Sequence, residues 1–323
     1  MPDTTQPSPP PRRGFLKQAA ALAGAAGAAA TAVNAAAQTA AASAPTAAAA
    51  PTPASEKLIE RPGSDFMMDV IRTLDLDYIS TNPGSSFRSL HESLVNYGGN
   101  KKPELLTCLH EESAVAMAHG YAKAAGKPMG VFLHGTVGLQ HAAMAIYNAW
   151  VDRVPVIMFA GNGIDANKRR PGTEWNHSVQ DAAAMVRDYI KWDDAPGSLQ
   201  HFAESTVRAY KIATTPPMEP VLLMADIDLQ EDAIHDSTLA IPKLARSIPP
   251  QGDNAALAEA AQWLVQAKSP VIVADRMARD QRGVDALVKL AETLGAAVVD
   301  MGGRMNFPNQ HPLCHSEDRK SVV

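Results

Sequence analysis

From residue 64 to residue 225 the chain alternates segments of helical apolar spacing with short runs of apolar, strand-forming residues. No other feature constrains the fold as strongly. Strands separated by helices pair in parallel, and a parallel sheet needs helices over both faces. Phe66, Val70, Ile71 and Leu74 recur at helical spacing behind Ser64-Asp65, a pair that can cap the helix. Strands are expected at 78–80, 105–109, 129–133, 155–160 and 221–225, the second of them buried, with helices at 87–97, 111–125, 139–150 and 199–214. Gly126, followed by Pro128, closes the helix at 111–125. Polar, Pro-containing residues 236–252 read as a linker. Beyond it, helix and strand patterns alternate through 254–267, 271–274, 281–294 and 296–300. The expectation is an α/β protein: a doubly wound parallel sheet within residues 56–235, then a truncated second α/β domain within 253–317.

The ends differ from this body. Residues 11–17 read Pro-Arg-Arg-Gly-Phe-Leu-Lys and lead into an Ala-rich run. Arg12, Arg13 and the Phe15-Leu16 pair resemble a twin-arginine export signal over residues 1–37, with Ala35-Ala36-Ala37 suited to a signal peptidase. Pro11 departs from the usual Ser or Thr at that place. Alanine is barely apolar, and Gly24 and Gly27 weaken a helix, so no stable membrane span is expected. The expected location is periplasmic or otherwise exported. Residues 38–55, rich in Ala, Pro and Thr, read as a flexible linker. Residues 318–323 back-translate into the string of a common sequencing adapter, so a non-native tail is expected there, with the protein continuing past Glu317. Net charge is −5, and the body is more acidic still, because residues 1–54 hold Arg12, Arg13 and Lys17 against Asp3. With no basic stripe, this balance argues against nucleic acid as the main partner. Two cysteines are too few for a disulfide framework, and Cys108, in an apolar strand, reads as core.

In a doubly wound sheet, ligands bind beyond the carboxyl ends of the strands. Three such ends carry chemistry here: Asn82-Pro83-Gly84-Ser85, His110-Glu111 and His134-Gly135. Singly, each has a bland reading as a turn, as carboxylates favouring a helix dipole, or as a hydrogen-bonded rim histidine. Their shared rim is what points to a site. Lys168-Arg169-Arg170 reads as a solvated loop, and Trp150, Trp175, Trp192 and Trp263 read as packing residues. No Gly-x-Gly-x-x-Gly follows the first strand, which argues against a nicotinamide dehydrogenase.

His110-Glu111-Glu112-Ser113-Ala114, running on to Gly120-Tyr121-Ala122-Lys123-Ala124, resembles the His-Glu…Gly-Tyr-Ala signature of thiamine-diphosphate-dependent enzymes. The resemblance extends over about residues 56–317, covering the pyrimidine-binding domain and part of the central domain. Leu133-His134-Gly135-Thr136-Val137-Gly138 and Asn82-Pro83-Gly84-Ser85 are closer to benzoylformate decarboxylases than to acetolactate synthases, which usually lack the histidine.

The resemblance implies thiamine diphosphate as cofactor and a small-molecule 2-oxo acid as substrate. It assigns Glu111 to the aminopyrimidine ring, where a carboxylate favours the tautomer that takes the thiazolium proton. Glu112 lies on a different face of the helix and is set aside. It assigns His134 as proton donor after carbon dioxide leaves, and Ser85 to the substrate carboxylate. Asn82, Pro83 and Gly84 lie against the cofactor, His110 is structural, and His141 replaces a small amide residue of the relatives. Magnesium would be held by a Gly-Asp-Gly…Asn motif in a C-terminal domain absent from this chain; Gly252-Asp253-Asn254 lacks the flanking pattern. No metal ligand is therefore assigned among these residues. The family implies a homodimer or homotetramer with sites shared between subunits, so the fragment itself is expected to be inactive. A decarboxylase is the first reading of the parent protein. An acetolactate synthase-type carboligase is the second, and an exported cofactor-binding protein without turnover the third.

Overall fold

The computed structural model describes residues 61–316, apart from 236, 237, 246 and 249. The expected export signal, the linker before residue 56 and the tail from 318 lie outside the described residues.

Six parallel strands form the main sheet in the order β2-β1-β3-β4-β6-β5. The strands are β1 (Tyr78–Thr81), β2 (Glu104–Thr107), β3 (Met129–Leu133), β4 (Val156–Asn162), β5 (Trp192–Asp194) and β6 (Val221–Asp226). The helices are α1 (Gly63–Arg72), α2 (Arg88–Glu92), α3 (Glu111–Ala125), α4 (Gly135–Val151), α5 (Thr173–His177), α6 (Leu199–Thr214) and α7 (Ile227–Glu231). Central strands bury both faces, so their alternate residues feed two cores. Phe132, Ile157, Phe159 and Leu223 point to one core with Phe66, Ile71 and Phe202 of α1 and α6. Val131, Leu133, Met158 and Leu222 point to the other, with Val115, Leu139 and Ile146 of α3 and α4. Phe132 and Phe159 meet edge to face at 5.8 Å and 82°, the geometry aromatic quadrupoles favour.

Three expectations need correction. The second strand is an edge, not a buried strand: Glu104 and Thr107 are exposed, and Leu109 is 96% exposed. Ser64-Asp65 does not cap α1, whose N-cap is Pro62 without a side-chain bond. Both are instead buried against Ser93, whose hydroxyl lies 2.7 Å from Ser64 Oγ and donates to Asp65 Oδ1 at 2.8 Å. Trp175 and Trp263 are exposed rather than packed.

Past the linker come α8 (Asn254–Gln266), β7 (Val271–Ala274), α9 (Gln281–Leu294) and β8 (Ala297–Asp300), with β7 and β8 paired in parallel. Leu287 and Ala291 of α9 pack on Val298 and Phe307. Asp253 caps α8, its Oδ1 accepting from the Ala256 N–H at 2.8 Å. This unit docks on the first through Asp152. Arg304 donates to Asp152 Oδ1 at 3.0 Å, and Arg276 donates to the Val151 carbonyl at 2.9 Å.

Candidate active site

The chain winds from β1 outward to β2, then crosses back to place β3 on the other side of β1. That reversal opens a crevice at the carboxyl ends of β1 and β3. Asn82-Pro83-Gly84 leaves β1 there, His134 leaves β3, and Glu111 enters from β2 as the first residue of α3.

Glu111 is 3% exposed. Burial by itself raises its carboxyl. The backbone N–H at its own helix start, the Asn82 side chain and the His141 ring outweigh that and hold it below the ordinary glutamate value. An ionised carboxylate only accepts, so His141 Nδ1–H is the donor in their 3.2 Å contact. Glu112 is exposed, as its face of the helix predicts. His110 accepts from the Glu112 N–H through Nδ1 at 3.2 Å and so caps α3. His110 and His141 are stacked at 4.9 Å and 16°. Together with Glu111 they bring possible metal ligands within 4.8 Å of one another. Each imidazole already has a partner, His141 at Glu111 and His110 at the Glu112 N–H.

His134 is half-buried at the N-cap of α4. Its Nδ1 lies 2.8 Å from Ser86 Oγ, which also accepts from the Gly135 N–H at 2.9 Å. Its ring stacks on His177 at 5.0 Å and 17°. Burial lowers its pKa, the neighbouring His177 lowers it further, and Glu111 pulls the other way; the net is a value below the ordinary histidine one.

Glycines set the spacing. A Cβ on Gly84 would stand 2.7 Å from His134 Cβ, and one on Gly138 would stand 3.3 Å from His134 and 3.4 Å from Glu111. Asn82, Gly84, Glu111, His134 and Gly138 thus form one cluster. Ser85 stands apart from it. Its side chain is exposed, lining a cleft with Pro83, Gly84, Arg88, His91 and Glu92, so that Gly84 borders both. The serine that meets His134 is Ser86, held by the buried Gln230, whose Nε2 donates to the Ser86 carbonyl at 3.0 Å. Lys168-Arg169-Arg170 is not free: Lys168 pairs with Asp228 and Asp232, Arg169 donates to the Gly163 carbonyl and Arg170 pairs with Glu174.

Residues 61–185 match the family model of the N-terminal cofactor-binding domain of thiamine pyrophosphate enzymes, and residues 257–317 match that of their central domain. The chain belongs to the thiamine-diphosphate-dependent enzyme superfamily. Superfamily relatives include a benzoylformate decarboxylase of Pseudomonas aeruginosa, 30% identical over 63% of this chain and 38% of that protein. An acetolactate synthase of Bacillus subtilis is 23% identical over 77% of this chain and 42% of its own length. The crystal structure of benzoylformate decarboxylase from Polynucleobacter necessarius superposes with a TM-score of 0.67 at 27% identity, covering 79% of this chain and 46% of that one. The chain spans less than half the length of these relatives. Within the superfamily these residues suit thiamine diphosphate: a buried, ionised carboxylate faces a rim where Gly84 and Gly138 leave no room for side chains.

Proposed function

We propose that the chain supplies the cofactor-activating part of a thiamine-diphosphate-dependent decarboxylase of 2-oxo acids, of the benzoylformate decarboxylase type, within a longer polypeptide. The observation that carries this reading is a half-buried histidine sharing Gly138 as neighbour with a buried carboxylate. When bound, the cofactor supplies the nucleophilic carbon and the electron sink that the loss of carbon dioxide requires. Glu111 would hold its aminopyrimidine ring, and the Asn82 and His141 contacts keep that carboxylate ionised and oriented. His134, steadied by Ser86, would hold the proton destined for the product carbon. A proton donor at that place competes with carbon–carbon bond formation, which favours decarboxylase over carboligase. Ser85, in its exposed cleft, is the residue proposed for the substrate carboxylate. Magnesium finds no matching donors in Gly252-Asp253-Asn254, since Asp253 is engaged as a helix cap. We place the metal in a further domain of the parent protein.

A homodimer or homotetramer fits the surface. Met144, Tyr147 and Val151 recur along one exposed stripe of α4 at helical spacing. The parent protein, given thiamine diphosphate, magnesium and benzoylformate or pyruvate, is expected to release an aldehyde. An acetohydroxy acid instead would select the carboligase reading, and no carbon dioxide from any 2-oxo acid would select a binding protein without turnover. Glu111→Gln should lower carbon dioxide release by at least about 100-fold, the lower bound for loss of acid–base catalysis.

A further inference from the structure

At the opposite end of the main sheet from the catalytic cluster lies a cleft of about 80 Å³ where the two domains meet. Its walls carry Lys123, Arg153, Arg276, Arg279 and Arg304. Two of these come from the ends of α3 and α4. The other three follow the carboxyl ends of β7 and β8, the rim where α/β units bind ligands. Domain docking accounts for three of the five cations. Lys123 and Arg304 pair with Asp152, and Arg276 takes Asp275 and the last carbonyls of α4. Arg153 and Arg279 are left over. Both are exposed, and among the described residues neither guanidinium is hydrogen-bonded or ion-paired. Arg153 also sits at φ +53°, a left-handed conformation that non-glycine residues rarely adopt.

We propose that this cleft binds a small oxyanion of the phosphate type, clamped between Arg153 of the first domain and Arg279 of the second. Two carboxylates, Asp152 and Asp275, stand against five cations, so the cleft is net positive. Guanidinium groups match phosphate oxygens with paired donors. The anion is taken to be a small one because the cleft itself is small, about 80 Å³. The inference is independent of the thiamine chemistry, which lies at the other rim.

The test is isothermal titration of the protein at constant ionic strength with inorganic phosphate, and separately with glycerol 3-phosphate. Saturable heat is expected, and the tighter of the two ligands tells a free ion from the head group of an ester. The double variant Arg153→Gln/Arg279→Gln should keep the wild-type circular dichroism, because both side chains are exposed, while binding weakens by about tenfold or more. Absence of saturable heat with either ligand overturns the proposal. So does equal affinity in a folded double variant.

Discussion

Gly138 touches both Glu111 and His134, yet the two groups meet opposite electrostatic fates. Burial penalises both charged forms. Glu111 has donors to reverse the penalty; His134 instead has a second imidazole stacked on it, so both leading influences depress its pKa. The sign of the pH effect follows. Between the depressed folded value and the ordinary unfolded value near 6.5, the unfolded chain binds a proton that the folded chain refuses. This group therefore makes stability rise with pH across that window and subtracts from it as pH falls below. Substituting His177→Gln should move the His134 midpoint upward, read from its ring-proton shifts in NMR; an unmoved midpoint would remove His177 as a cause. Glu111 and His134 were legible in the chain because one opens the helix that follows a strand and the other comes directly after a strand. Ser86 and His177 were not. Ser86 follows the serine that the motif singles out, and His177 lies in an irregular segment with no period to place it.

Elements with strong patterns kept their sequence-read bounds: Glu111–Ala125 between a capping histidine and Gly126, and Met129–Leu133 as an apolar run after Pro128. α4 starts at Gly135 rather than at Leu139, where the apolar pattern begins. Two glycines in its first turn mimic a loop, but packing requires them: a Cβ on Gly135 would lie 2.7 Å from the Gly161 carbonyl. β5 has three residues, too few for any periodicity to show. Ser64 and Asp65 have capping chemistry, but Ser93, distant in sequence, claims them. A tight backbone joint is Gly161, where a Cβ would stand 2.0 Å from the Ser86 carbonyl. Backbone cannot yield there as a side-chain tip would. Gly161→Ala is expected to cost about 1–3 kcal/mol by urea denaturation, the usual range for overpacking. Phe132→Ala, at a fully buried position, should cost about 3–5 kcal/mol by the same measurement.

At the scale of the molecule, the parallel sheet followed the alternation of patterns, whereas the domain contact through Asp152 had no signature in the chain. The exposed stripe on α4 predicts that Met144→Glu/Tyr147→Glu lowers the molecular mass in light scattering from oligomer to monomer. We propose export through the twin arginines, for which Arg12→Lys/Arg13→Lys should shift the protein from the secreted to the cytoplasmic fraction. One helix joins the two themes. α4 begins immediately after His134 and ends at the residue before Asp152, a rod about 25 Å long at 1.5 Å per residue. A hydrogen-bonded rod of that length does not compress, so His134 at one rim and the Asp152 contact at the other are held at a fixed separation.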